Sequence, residues 1–195
     1  KTYHTGNAVT SLAQIKGENM SECLGKNHYF ALFGVPVSFI IDKNTLKKNL
    51  LILQKTHHPD QQHTNTNTQS ALINHAYHTL IADDLRAVYL LELAGQTINL
   101  DNSIKDLDFL DEMMDIRTAL EDAKLAQDMS AIAHLRHDLE VRTRHQGERF
   151  DAAYEQKHWL NAIDSALKLK FLAKLYEDIL TPITPHEDND DDLYV

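Results

Sequence analysis

Along most of this chain apolar side chains recur every three or four residues, the period of an amphipathic helix, with no sustained alternation of the kind a half-buried strand shows. A short helix is expected over His28 to Phe33, where Tyr29, Phe30, Leu32 and Phe33 cluster before Gly34 and Pro36 stop it. Asp42 then caps a second helix carrying Leu46, Leu50 and Leu53 on one face. Pro59 ends it, because the residue before a proline is pushed out of helical geometry. Gln61 to Gln69 is rich in Thr and Asn, whose side chains compete for backbone hydrogen bonds, and reads as a mobile connection. Ile73, Ala76, Tyr77 and Leu80 share a face of the next helix. Asp83 is expected to cap a further short helix through Leu85, Val88 and Tyr89, which Gly95 closes.

Residues 96–104 read as a linker to a second helical unit at 105–181. Its three stretches, Leu107 to Gln127, Ser130 to Tyr154 and Lys157 to Leu180, suit a small three-helix bundle, the middle one interrupted by Gly147. Phe109, Met113, Ile116, Leu120 and Ala123 supply one core stripe. Leu160, Ile163 and Leu167 are expected to fill the core from the last helix, with Phe171 near its edge. The fold class is therefore all-α, and it follows from patterning and from the scarcity of Gly and Pro. Residues 1–26 read as a loosely ordered leader, and 182–195, with Glu187, Asp188, Asp190, Asp191 and Asp192, as a disordered acidic tail.

Charge and composition narrow the function. A net charge of −10, from 29 acidic and 19 basic residues, argues against nucleic acid as a partner, since phosphate binding needs clustered Lys and Arg. Cys23 is the single cysteine, so one chain forms no internal disulfide and no cysteine-based zinc set. A reducing compartment, the cytoplasm, fits best. No apolar run approaches the roughly 20 residues a membrane span requires. No Ser-His-Asp order, P-loop or glycine-rich phosphate cradle appears, so the chain offers no catalytic constellation and calls for no cofactor.

The tripeptide His58-Pro59-Asp60 is the feature these exclusions leave standing. It sits between two amphipathic helices suited to an antiparallel hairpin, where proline stiffens the bend, the imidazole offers a directional hydrogen bond and the carboxylate can engage a partner's Arg or Lys. Lys43, Lys47, Lys48 and Lys55 add a basic strip to the preceding helix, able to steer encounter with an acidic surface. A competing reading takes His57, His58, His63 and Asp60 as the metal site of a hydrolase. With Ile73-Asn74-His75-Ala76-Tyr77-His78-Thr79-Leu80 and then Arg86 and Tyr89 following the loop, residues 27–95 resemble a J-domain. The start Tyr29-Phe30-Ala31-Leu32-Phe33-Gly34 resembles its HscB branch in particular. Thr143-Arg144-His145-Gln146 and Lys170-Phe171-Leu172 extend that resemblance through the second unit. The resemblance implies docking of the loop on an HscA-type ATPase of the DnaK class. Gln61 departs from the family's usual Lys after the tripeptide, which implies weaker steering.

Leu107, Leu110 and Met114 make a second apolar stripe beside the core stripe of the first bundle helix, bordered by Asp111, Asp115, Thr118 and Asp122. Such surplus apolar surface is a candidate partner face. The HscB resemblance implies that this face binds the iron-sulfur scaffold protein IscU, with Leu110, Met114, Asp115, Arg117 and Phe171 as the binding residues. Asp111 stands where the family places an apolar side chain. Two other uses remain open: Leu107 and Leu110 can pack the first unit onto the bundle, and Phe171 can be plain core. A J-domain protein serving some other client is the alternative function within the same class.

Overall fold

The computed structural model describes residues 29–56, 66–97 and 104–181. Among them are seven helices and no strand: α1 (Tyr29–Leu32), α2 (Lys43–Thr56), α3 (Thr66–Ile81), α4 (Asp83–Leu93), α5 (Leu107–Leu125), α6 (Met129–Glu155) and α7 (Trp159–Leu180). Helices α1 to α4 build a J-domain around the α2–α3 hairpin, and α5 to α7 build the bundle. Leu46 and Leu53 of α2 meet Ile73, Ala76 and Leu80 of α3 in one core with Phe30, Phe33, Ala87, Leu90 and Leu91. Asn49, also buried on α2, donates from Nδ2 to the Phe33 carbonyl at 2.8 Å and so ties the end of α1 to α2. The Tyr29 N–H donates to the Tyr89 hydroxyl at 2.9 Å, and the two rings stack at 4.6 Å.

Three expectations for this unit change. Thr66 to Gln69 belong to α3 rather than to the connection, because Thr and Asn are also tolerated in the first turn of a helix. Ala82, not Asp83, stands at the N-cap of α4, and no side chain caps it. Leu85 is exposed, while Arg86, Ala87, Leu90 and Leu91 form the buried face. Asp83 stands inside the first turn instead, and its carboxylate is engaged by Arg86 and by Lys43, the latter at 2.9 Å. Arg86, 3% exposed, donates from Nε to the Phe39 carbonyl at 2.7 Å and from a terminal nitrogen to the Leu80 carbonyl. Its guanidinium also lies over the Phe39 ring at 4.8 Å. Gly95 closes α4 as expected: at φ 72°, its N–H bonds Glu92 while the next N–H bonds Leu91, the paired pattern of a left-handed cap.

In the bundle, α5 and α7 run parallel with α6 antiparallel between them, as the ordered pairs Asp106–Lys168, Phe109–Phe171 and Arg117–Asp178 require. Met113, Ile116, Leu120, Leu139, Leu172, Leu175 and Ile179 form its core. Both turns place a non-glycine residue at positive φ, Gln127 at 53° and Lys157 at 56°, and Asp128 caps α6 through the amides of Ser130 and Ala131. Leu160, expected in the core, is 84% exposed, and Ile163 and Leu167 are half-buried. The inward positions are Ala162, Ala166 and Leu169, which meet α4, and then Leu172, Leu175 and Ile179, which meet α5. Small alanines let α4 approach closely, a preference that a search for bulky residues overlooks.

Helix α6 is continuous through Gly147. A Cβ at that position would stand 2.9 Å from Cε1 of Phe39, so the glycine marks where the J-domain lies against the bundle rather than a break in the helix. Phe39 packs on Phe150 at 4.8 Å, Phe150 stacks on Tyr154, and the Tyr154 hydroxyl donates to the Leu90 carbonyl at 3.1 Å. Phe150, Ala153, Ala162, Ala166 and Leu169 thereby join the same buried cluster as the J-domain. A large side chain buried there contributes roughly 1.5–3 kcal/mol, so the junction has the character of a domain core.

Candidate functional site

His58, Pro59 and Asp60 lie outside the described residues, as do His57, Gln61 and His63 of the competing metal reading. The helix that leads into the tripeptide is described as far as Thr56. Asp42 starts it: its Oδ1 accepts the Asn44 N–H at 3.0 Å and Oδ2 accepts the Thr45 hydroxyl. The Thr45 bond, followed by the Asn44 amide, holds the Asp42 carboxyl below its usual range. Lys43, Lys47, Lys48 and Lys55 are all exposed. Lys43 is committed to Asp83 at the domain's other end, whereas Lys47, Lys48 and Lys55 make no ion pair among the described residues. The pattern reading missed Leu51 and Ile52, which are exposed on α2. At one-turn spacing between Lys48 and Lys55 they give the basic strip an apolar middle. Their exclusion from the Leu46–Leu53 stripe is the signal that could have found them.

The second candidate face lies along α5 and α7. Leu107 is 71% and Met114 57% exposed, Asp115 is exposed, and Leu110 is half-buried. Phe171 is half-buried, packed on the bundle core and against Phe109 edge-on at 6.0 Å. The parallel register that pairs Phe109 with Phe171 and Arg117 with Asp178 sets Leu110 level with Phe171. Arg117 reaches Asp178 at 3.4 Å, so it bridges the two helices at the lower end of the face. The uses left open by the sequence divide: Phe39, Phe150 and the small face of α7 join the domains, and Leu107 and Leu110 are absent from that shared core.

Beneath this face is a feature that sequence reasoning missed. Lys168 is 5% exposed, with Nζ 2.7 Å from Asp106 and 2.9 Å from Asp164. Burial alone would lower its pKa, but hydrogen bonds to both carboxylates more than reverse this and keep the ammonium charged. On the opposite flank Arg142 bridges Glu112 of α5 and Asp138 of its own helix. A separate cleft of about 690 Å³ opens between Ile40, Ile41 and Asp84 of the J-domain and Glu148, Ala173 and Tyr176 of the bundle. Burial raises the Asp84 carboxyl there, while amides at the start of α4 oppose the shift. Among the described residues no three His, Cys, Asp or Glu side chains are grouped to hold a metal ion, and no helix is long and apolar enough to cross a membrane.

Among the described residues, a helical hairpin domain shares a core with a three-helix bundle, the architecture of J-type co-chaperones of the HscB kind. A family model described as the HSCB C-terminal oligomerisation domain matches residues 105–180. The chain is 35% identical over 156 residues, 78% of its length, to a co-chaperone protein HscB homolog of Acinetobacter baumannii, covering 88% of that relative. Among solved structures, chaperone HscB from Vibrio cholerae is similar with a TM-score of 0.66 and 34% identity, over 79% of this chain and 96% of that one. The human co-chaperone protein HscB gives 0.65 and 27%, over 80% and 81%. The chain belongs to the HscB co-chaperone family.

Proposed function

We infer that this protein is a two-site adaptor for iron-sulfur cluster assembly, acting in the cytoplasm without an active site of its own. The His58-Pro59-Asp60 loop, with Lys47, Lys48 and Lys55 beside it, engages the DnaK-type ATPase HscA and stimulates its ATP hydrolysis. The α5–α7 face, with Leu110, Met114, Asp115, Arg117 and Phe171, holds the scaffold IscU. Lys43 belongs to the basic strip too, although its ion pair with Asp83 leaves it less available. The observation that carries this reading is an exposed apolar face with acidic borders on the bundle, remote in sequence from the α2–α3 hairpin yet joined to that hairpin's helices through one shared core. Joining two binding sites in one body raises the effective concentration of each partner around the other. Stimulation of hydrolysis then reflects preferential binding of one ATPase conformation.

The test is ATPase turnover of HscA with this protein and with IscU, added separately and together. Turnover is expected to rise with each alone and to rise further with both. Asp60→Asn is expected to abolish stimulation by this protein while far-ultraviolet circular dichroism stays unchanged, and stimulation that survives the substitution rules out docking through the loop. Stimulation without any IscU binding would instead favour a J-domain protein with another client.

A further inference from the structure

The first turn of α5 carries Leu107 and Leu110, and its orientation decides whether Leu110 stays level with Phe171 or swings away from it. One carboxylate both starts and anchors that turn. Asp106 is the N-cap of α5: its Oδ1 accepts the Phe109 N–H at 3.1 Å and its carbonyl accepts the Leu110 N–H at 3.1 Å. The other carboxylate oxygen, Oδ2, accepts from Nζ of Lys168 at 2.7 Å, across to α7. Asp164, one turn earlier on α7, holds the same ammonium at 2.9 Å and keeps it from turning out to solvent. The Phe109 ring covers the ammonium at 5.4 Å and meets Phe171 edge-on at 6.0 Å. Lys168 and Phe171 are three residues apart on α7, neighbours on one side of the helix.

A buried cation held this way is a costly means of gaining stability, because apolar residues of similar volume often stabilise a core as well or better. Its distinctive property is direction: two short charge-assisted hydrogen bonds fix position and register, whereas apolar contacts are non-directional. We propose that Lys168 is a positioning residue for the scaffold-binding face, gripping the capping carboxylate of Asp106 so that Leu110 is presented in register with Phe171. The proposal rests on the reading of that face given above.

Titration calorimetry of the full chain with IscU tests it, with circular dichroism melts confirming that each variant is folded at the working temperature. Asparagine caps a helix about as well as aspartate but cannot pair with an ammonium. Asp106→Asn therefore removes the grip and keeps the cap. Lys168→Met and Asp106→Asn are each expected to weaken IscU binding about five- to tenfold, as loss of a site's supporting contacts does. Together they should do no more than either alone. Unchanged binding in Lys168→Met, or effects that simply multiply in the double variant, overturns the proposal. Should Lys168→Met not fold, Asp106→Asn alone decides between the same outcomes. Leu110→Ala with Phe171→Ala separates the two claims: if that pair leaves IscU binding intact, the reading of the face fails. Amide exchange then decides for Lys168 without a partner, since the Phe109 and Leu110 amides exchange faster in Lys168→Met if the grip is real and at the wild-type rate if it is not.

Discussion

Gly147 shows at the residue scale how a missing side chain can be a contact. Alanine would ordinarily favour helix over glycine by about 1 kcal/mol. Here its Cβ would press on a ring already held by Phe150 and Arg86. Gly147→Ala is therefore expected to destabilise the protein by about 1–3 kcal/mol, the range for overpacking a filled core, in urea unfolding followed by circular dichroism. A gain in stability would mean that Phe39 can retreat. The Asp83 carboxyl supplies a second test. Burial alone would raise its pKa, but the Arg86 guanidinium and Lys43 more than compensate and leave it below the usual value. Because the folded value is depressed, its contribution is complete above the ordinary carboxylate range and is lost as pH falls through the lower folded value. Asp83→Asn should cost about 1–2 kcal/mol at neutral pH, with the gap to the wild type closing in acid; a gap independent of pH would assign the loss to shape rather than charge.

At the scale of elements, the α5–α7 face makes the sharpest prediction. Leu110→Ala with Phe171→Ala is expected to weaken IscU binding by at least about tenfold, as loss of paired anchors at an interface does. The melting temperature should change little, because Leu110 is half-exposed and Phe171 lies at the margin of the bundle core. A collapse of the melt would identify the pair as core. The helices themselves were legible because apolar periodicity reports them directly: all three bundle helices lie close to their expected bounds, and Met113, Ile116, Leu120 and Ala123 are buried as expected. Periodicity failed where burial is achieved by small or polar groups. Ala162 and Ala166 displaced Leu160, Arg86 displaced Leu85, and Asn49 and Lys168 are interior positions that no hydrophobic stripe announces. The Asp83 cap failed for a different reason: the N-cap falls one residue earlier, at Ala82, so Asp83 stands inside the first turn and its carboxylate pairs with Arg86 and Lys43. For the site, the sequence revealed the exposed apolar surplus on α5, but the Lys168 grip beneath it depends on a pairing across 62 positions that only the fold creates.

At the scale of the whole molecule, the J-domain core extends into the bundle through Phe150, Ala153, Ala162, Ala166 and Leu169, next to a second cluster that belongs to the bundle alone. Heating is therefore expected to give one cooperative transition by scanning calorimetry, with calorimetric and van't Hoff enthalpies in agreement. Two resolved transitions would show that the junction around Phe39 and Phe150 contributes little. A chain of 105–181 alone would leave Phe150, Ala162, Ala166 and Leu169 without the partners they have in the full protein.

The aromatic column from Phe39 through Phe150 to Tyr154 also works as a protractor. It sets the bearing of α2 relative to the α5–α7 face, so that, on the proposed two-site reading, two proteins seated on this chain would meet at an angle dictated by ring packing instead of exploring one another at the end of a tether. Repacking that column is then a way to spoil the handover while each separate handshake keeps its strength.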